Sequence, residues 1–208
     1  MERVVVLVKA LPHAGKRHGE TVCCAGITEH GEWRRQFPIH FRRLREKFNR
    51  WDRIEYEYRT PKDDKRPESR RVQEDTIRVV GSVPLRERAN LLSRVIVSST
   101  ARAAAGGQTL ALIRPRNVRF VSKKKTSKDI DEEQRAYRAA ASQGTFFDKD
   151  LAELEPCPYA FKFEYEDQDG HAHTSTCDDW ETAAMFRQFT RRYDEKRALS
   201  LMKKTFEQ

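Results

Sequence analysis

The segment Arg53-Ile54-Glu55-Tyr56-Glu57-Tyr58-Arg59 alternates strictly between charged residues and apolar or aromatic ones. Successive side chains of a β-strand point to opposite faces, so this pattern predicts a strand that is buried on one side. Ile54, Tyr56 and Tyr58 are expected to face a core, and the charged side chains are expected to face solvent. One such strand is not stable alone, and the sequence on either side predicts its partners.

The flanking sequence predicts four more strands, over residues 4–10, 21–27, 32–40 and 76–83. Pro38 places the third of these at an edge or a bulge, because proline cannot donate a ladder hydrogen bond. Residues 41–48 have the spacing of a short helix, and the polar residues 60–75 are typical of a loop. Five strands and one helix in about 85 residues fit a small β-barrel.

The remainder of the chain alternates between helical and strand patterns. A middle part is expected to hold a helix over 85–102, short strands over 109–113 and 117–121, and a charged helix or linker over 131–142. A hairpin is predicted over 159–165 and 171–177 with Asp169-Gly170 at its turn, followed by helices over 178–190 and 195–206. The fold class is therefore α+β, with domains expected at 1–84, 85–145 and 146–208.

The 208 residues carry a formal charge of +9 that is unevenly distributed. Residues 1–144 hold +14, whereas residues 145–208 hold −5. This asymmetry favours one part that faces a polyanion and another that is acidic. The alternative is an ordinary basic protein with solvated charged faces.

The four cysteines form no CxxC pair, and no apolar run approaches the ~20 residues of a membrane span. The early apolar run Val4–Val8 is the size of a strand, and no cleavage site of the A-x-A type follows it. We therefore expect no signal peptide, reduced thiols, no membrane partner and a cytoplasmic location.

Residues 33–51 interleave aromatic rings with cations, which is the combination that single-stranded nucleic acid requires. The residues expected to bind nucleic acid here are Trp33, Arg34, Arg35, Arg42, Arg43, Arg45, Lys47 and Trp51. Further phosphate contacts are expected from Lys16 and Arg17 in the turn 12–19 and from Lys123, Lys124 and Lys125. The alternatives stay open: the aromatics, including Phe37, as core anchors, and the other cations as solvated charges.

Several short motifs resemble a family of largely uncharacterised prokaryotic proteins. The motifs are Gly19-Glu20-Thr21-Val22-Cys23, Ala25-Gly26-Ile27, Trp33-Arg34, Phe37-Pro38, Phe41-Arg42 and Arg66-Pro67-Glu68-Ser69, then Tyr159-x-Phe161-x-Phe163-x-Tyr165, Asp169-Gly170-x-x-His173 and Asp179-Trp180-Glu181. The likeness covers most of residues 4–80 and 158–205. It implies an OB-type barrel in the N-terminal part, and it implies no particular activity.

Two sets of side chains suggest metal chemistry. Cys157, His171, His173 and Cys177 flank the predicted hairpin and have the donor types of a zinc site, although their spacing is not a standard one. A polar hairpin with a buried cysteine is the competing interpretation. Asp179 and Glu181 with Lys162 are the candidate Mg²⁺ and catalytic residues of a nuclease. Their competing role is to cap the helix that follows.

The leading hypothesis is a protein that binds DNA or RNA through the basic face of the barrel and needs no cofactor. A metal-dependent nuclease that uses the acidic C-terminal cluster with Mg²⁺ is the second, and the Cys/His set would be a separate zinc site. The third is an adaptor whose acidic C-terminal part docks a basic partner in a mobile-element or antiviral-defence complex. The sequence contains no GxSxG, HExxH, kinase or Rossmann motif that would favour another enzyme class.

Overall fold

The computed structural model describes residues 1–11, 13–15, 19–40, 48–141 and 155–208. These residues form two compact units. The first comprises Met1–Pro12, Thr21–Arg114 and Asp167–Asp169, and the second comprises His13–Glu20, Pro115–Glu166 and Gly170–Gln208, in each case for the described residues. The three-part division expected from the sequence stays a prediction.

The first unit is a closed barrel. Its strands are β1 (Glu2–Lys9), β3 (Gly19–Ile27), β4 (Trp33–His40), β5 (Asp52–Arg59) and β6 (Ser69–Ser82), and the short β2 (His13–Gly15) lies beside β3. The sheet order is β1-β5-β6-β4-β3-β2, and an additional pairing between β1 and β3 closes the cylinder. Because the cylinder is closed, each of the five barrel strands is paired with another barrel strand on both sides.

The connectivity of the barrel is that of an OB-type fold. Of the five barrel strands in chain order, the first (β1) lies between the second (β3) and the fourth (β5). The third (β4) runs parallel to the fifth (β6), and the remaining pairings are antiparallel. The prediction of an α+β chain with an N-terminal OB-like barrel is therefore confirmed. The helix expected over 41–48 lies outside the described residues except for Phe48, which is buried.

Alternating residues of the strands fill the barrel interior. The fully buried side chains include Val4, Val6, Val22, Ile39, Ile54 and Tyr56. Closure between β1 and β3 depends on Gly26, because a Cβ atom at this position would lie 2.3 Å from the carbonyl oxygen of Val5. Glycine is the residue that permits such a close approach of two backbones.

The longest strand differs from its prediction. Residues 69–75 were expected in a loop, but they form the first half of β6, where Val72 is buried. The polar composition of this segment does not predict a strand. The inward-pointing Arg70 is accommodated because Glu2 neutralises it, with 3.3 Å between Arg70 Nε and Glu2 Oε2. The outward-pointing Arg71 and Gln73 of the same segment are exposed and tolerate polar or charged side chains.

The helix expected over 85–102 is interrupted. The structure has α1 (Leu85–Ser93), the short strand β7 (Ile96–Val97) and α2 (Thr100–Ala105), with β8 (Leu112–Ile113) paired to β7. Ser99 begins α2 by accepting a hydrogen bond from the backbone N–H of Arg102. An N-cap serine starts a new helix, which explains why the apolar spacing does not continue through this segment.

The second unit is a three-stranded antiparallel sheet covered on one face by two helices. Its elements are β9 (Arg116–Lys124), α3 (Ser127–Ala141), β10 (Tyr159–Glu166), β11 (Ala172–Thr176), α4 (Trp180–Thr190) and α5 (Glu195–Phe206), with the strand order β11-β10-β9. Phe120, Phe161 and Phe163 point to the covered face and contact Phe186 of α4 or Phe206 of α5. The predicted hairpin and two helices are present.

No helix of the described residues is long and apolar enough to cross a membrane.

Candidate nucleic-acid interface

Three residues form a transverse row on the outside of the barrel. Phe37 of β4 is the register partner of Arg71 of β6, and Arg71 is the register partner of Arg59 of β5. Register partners on adjacent strands project to the same face of a sheet. The Phe37 side chain is 40% exposed, and both arginines are exposed. The row therefore presents an aromatic ring and two guanidinium groups to solvent.

Arg35 extends this row along β4, because residues two apart in a strand share a face. Its Nη1 lies 3.9 Å from the Cys23 sulfur, and its Nη2 lies 3.5 Å from the hydroxyl of Thr109. These contacts hold a half-buried arginine beside the exposed ring of Phe37. We call the surface formed by Arg35, Phe37, Arg59 and Arg71 the outer barrel face.

The cations of the row are not neutralised by the acids around them. Within the described part of the chain, neither Arg59 nor Arg71 makes a side-chain hydrogen bond or ion pair. Glu57, two residues before Arg59 on the same side of β5, is exposed. A protein cation that is not already paired retains its full attraction for an incoming anion.

The loop between β5 and β6 is fixed beside this face by an ion pair. Arg66 donates from Nε and Nη2 to the two carboxylate oxygens of Asp64, over 2.8 and 2.6 Å. The Ser69 hydroxyl donates to the same carboxylate over 2.7 Å. The Arg66 guanidinium and the Ser69 hydroxyl hold the pKa of Asp64 well below its usual range.

The same loop contains a buried glutamate. Glu68 is 4% exposed, and its Oε1 accepts hydrogen bonds from the backbone N–H and the hydroxyl of Thr109. The Glu68 carbonyl accepts a 2.8 Å hydrogen bond from the backbone N–H of Arg35. The loop is thereby tied to β4 at the position from which Arg35 projects.

Arg34 was predicted to contact phosphate, but it points inward. Its Nε donates to Glu2 over 2.5 Å and its Nη2 donates to Glu32 over 2.8 Å, and only 14% of its side chain is exposed. The Tyr56 hydroxyl donates to the other oxygen of Glu2 and accepts from the buried Gln36 amide. Arg34 thus satisfies a polar network in the barrel instead of a surface site.

The two tryptophans of the predicted interface belong to a small core outside the barrel cylinder. Trp33 and Trp51 pack against Val5, Leu7, Ile27 and Val83 together with Leu91, Leu92 and Val95. The guanidinium of Arg88 lies 4.6 Å from the centre of the Trp51 ring. The interpretation of these rings as core anchors agrees with this packing, and Phe37 is the aromatic residue of β4 that is exposed.

The three consecutive lysines at the end of β9, of which Lys125 follows the strand, have different surroundings. Lys123 is exposed, whereas Lys124 donates to Glu195 of α5 over 3.3 Å and Lys125 lies 2.7 and 2.8 Å from the two carboxylate oxygens of Glu133 of α3. Lys123 makes no hydrogen bond or ion pair within the described residues, although its charge interacts with the Asp129 carboxylate of α3. The other predicted cations lie outside the described residues: Lys16, Arg17, Arg42, Arg43, Arg45 and Lys47.

The candidate zinc donors are not assembled. No group of three or more histidine, cysteine or acidic side chains with metal-binding geometry occurs among the described residues. The Cys177 sulfur contacts the Thr182 hydroxyl at 3.3 Å, and the His173 ring stacks on Tyr165. Burial raises the pKa of the Cys157 and Cys177 thiols. His171 is exposed.

Two of the candidate nuclease residues stabilise the N-terminus of α4, and the third lies on the sheet face that α4 does not cover. Asp179 is the N-cap of α4, and its carboxylate accepts a 2.9 Å hydrogen bond from the backbone N–H of Glu181. Glu181 lies in the first turn, where a carboxylate stabilises the helix dipole. Lys162 is exposed on the face of β10 opposite to the one that α4 covers. This arrangement gives no observation in favour of cleavage.

Sequence reasoning did not identify Arg59 and Arg71. Arg59 was interpreted as the solvent face of a strand, and Arg71 was placed in a loop. The signal for Arg71 is the alternation Ser69, Arg71, Gln73 against Arg70 and Val72, which is recognisable once Arg70 is known to be a buried cation. Phe37 was noticed as part of the basic segment and was weighed as core.

Two family models cover the chain. The model described as Domain of unknown function (DUF8758) matches residues 1–96, and the model described as Domain of unknown function (DUF8757) matches residues 93–208. No curated protein and no solved structure matches the chain. The junction of the two matches falls just after α1, in the first of the two structural units.

Proposed function

We propose that this chain, which belongs to the family of the domain of unknown function DUF8757, binds nucleic acid through the outer barrel face. The observation that carries the proposal is the row Phe37–Arg71–Arg59, in which one exposed ring adjoins two guanidinium groups that have no acidic partner among the described residues. Cations neutralise phosphates, and a ring stacks on bases of any identity.

The fold gives the proposal a second, weaker support by analogy. OB-type barrels that bind oligonucleotides use the surface of their second and third strands with the loops after the first and fourth strands. In this chain the third strand is β4, which carries Arg35 and Phe37, and the loop after the fourth strand carries the Asp64–Arg66 ion pair. Fold analogy alone does not assign function, so the row remains the deciding feature.

The expected recognition is driven by the sugar-phosphate backbone. Arg59 and Arg71 would contact phosphates, Phe37 would stack on a base, and Arg35 would add a third cation beside the ring. None of these side chains reads a base edge in the way that a bidentate donor in the major groove does. Affinity should therefore depend strongly on salt and weakly on sequence.

The test is fluorescence anisotropy of labelled oligo(dT), oligo(rU) and a mixed-sequence duplex, titrated with the purified chain at several NaCl concentrations. A high-salt wash followed by a check of the A260/A280 ratio comes first, because retained nucleic acid would mask binding. Binding that weakens as salt rises, and that Phe37→Ala and Arg71→Ala reduce while Arg86→Ala does not, supports the proposal. Arg86 is the control because it is an exposed arginine of α1, 86% exposed. Absence of binding at low salt overturns the proposal.

A further inference from the structure

The uncovered face of the sheet in the second unit carries a cluster of cations. Lys162 of β10 is the register partner of Val121 of β9, which places it diagonally between Arg119 and Lys123 on the same face. Diagonal neighbours in a sheet are about 7–8 Å apart. All three cations are exposed, and Arg119 is 74% exposed. We call these residues the open sheet face.

The rest of this face carries threonines and aliphatic side chains, among them Val121. On β11, Thr174 and Thr176 are register partners of Glu164 and Lys162, and both threonines are exposed. On β10, Ala160 is the register partner of Lys123. The rings of β9 and β10 point to the opposite face, where the helices cover them. The open sheet face therefore offers charge and hydroxyl groups without an aromatic surface for stacking in the described strands.

Two acids of β10, Glu164 and Glu166, share this face, and Glu166 accepts a 2.9 Å hydrogen bond from the side-chain amide of Asn117. Glu164 is 3.3 Å from Arg119, an exposed pair that solvent and salt screen strongly. Lys123 and Lys162 make no hydrogen bond or ion pair in the described part of the chain. The second unit thus presents a positive surface on this side.

We propose that the open sheet face is a second binding surface for the phosphodiester backbone of a polynucleotide. Three cations spaced along two strands match a row of phosphates, and the threonine hydroxyls supply donors to phosphate oxygens. Because the described strands offer no ring on this face for a base to stack on, the face contacts the backbone and reads no sequence. It lies in a different unit from the outer barrel face, so the proposals for the two surfaces can be tested independently.

The experiment uses the full chain and compares the salt dependence of binding for wild type, Arg119→Gln/Lys123→Gln/Lys162→Gln and the control Lys204→Gln. Lys204 is an exposed lysine of α5, on the covered side of the sheet. Both a duplex and oligo(dT) serve as probes. Each lost phosphate contact lowers the slope of log K against log[NaCl] by about 0.9 for duplex and about 0.7 for a single strand. The triple variant should therefore lose about 2 to 3 in slope, and Lys204→Gln should lose none.

A variant with the opposite sign keeps the test decisive if the triple variant folds poorly. Glu164→Gln removes the acid that is paired with Arg119, and it should tighten binding and steepen the slope. An unchanged slope in both variants overturns the proposal. So does a triple variant that binds oligonucleotides as wild type does but loses affinity for poly-L-glutamate, since the surface would then serve an acidic polypeptide. Repeating the comparison in an Arg59→Ala/Arg71→Ala background separates this surface from the outer barrel face.

Discussion

Phe37 and Arg71 are register partners across the parallel β4–β6 pairing, and both side chains are exposed. This parallel pairing joins the third and fifth strands of the barrel, which are far apart in the sequence. It places a stacking surface and a phosphate-binding group side by side, and Arg59 continues the row on β5. The row is the physical basis of the proposed interface.

The ring of Phe37 is predicted to act through its aromatic character. Phe37→Ala should weaken binding of oligo(dT) by about 1–3 kcal/mol, or roughly fivefold to 150-fold, because a stacked base loses its platform. Phe37→Trp should retain the affinity, and Phe37→Leu, which keeps apolar volume, should not. Anisotropy titrations at fixed salt measure the three variants. Equal affinity for the Leu variant and wild type would show that stacking is not involved.

Glu57 is predicted to oppose binding. It is exposed on the same side of β5 as Arg59, its backbone N–H donates to the Thr76 hydroxyl, and its carboxylate has no ion-pair partner among the described residues. Glu57→Gln removes one negative charge from the surface and should tighten nucleic-acid binding by about two- to fivefold at low salt, with the gain fading at high salt. Glu87→Gln on α1 is the matched control and should bind as wild type does. A Glu57→Gln chain with unchanged or weaker affinity would place the ligand elsewhere.

Closure of the barrel is predicted to require glycine at position 26. Gly26→Ala forces a Cβ atom against the Val5 carbonyl, a backbone atom that cannot move without opening the β1–β3 pairing. We expect a loss of about 1–3 kcal/mol in the free energy of unfolding, as for other overpacked sites. Chemical denaturation measures it, with Gly106→Ala as the control, where the nearest atom would be 3.4 Å away. A Gly26→Ala chain as stable as wild type contradicts the close approach.

The Asp64–Arg66 pair predicts a pH dependence of stability. The pKa of Asp64 is lowered in the folded chain, so its contribution is complete above the unfolded pKa of about 4 and is lost as the pH falls below that value. Asp64→Asn should cost about 1 kcal/mol at pH 7, discounted for solvent screening, and the difference from wild type should shrink between pH 4 and pH 3. Urea denaturation at both ends of this range provides the measurement. A difference that grows towards low pH would have the wrong sign for a lowered pKa.

The barrel could be predicted because its strands carry local signals. The alternation of residues 53–59 and the apolar run at Val4–Val8 specify strand faces without any tertiary information. The first half of β6 could not be predicted, because its inward residue Arg70 is charged and only its partner Glu2, distant in sequence, makes that burial acceptable. Local patterns do not record such long-range compensation.

The same reason limited the prediction of the interface. Arg34 and Arg35 are adjacent and chemically identical in the sequence, yet Arg34 is held by Glu2 and Glu32 inside while Arg35 lies on the outer barrel face. Because successive side chains of a strand point to opposite faces, the two arginines must lie on different faces of β4. The sequence does not show which of these faces lies inside the barrel. Trp33 and Phe37 differ in exposure in the same way. Trp33 packs in the small core that includes Leu91 and Leu92 of α1, whereas Phe37 is 40% exposed.

The most direct test of the interface is the salt dependence of oligo(dT) binding by Arg59→Ala/Arg71→Ala compared with wild type. The proposal predicts that the slope of log K against log[NaCl] falls by about 1.4, which is the loss of two single-strand phosphate contacts. Thermal unfolding should be unchanged, since neither arginine has a partner among the described residues. A double variant with the slope and affinity of the wild-type chain would contradict binding at the outer barrel face.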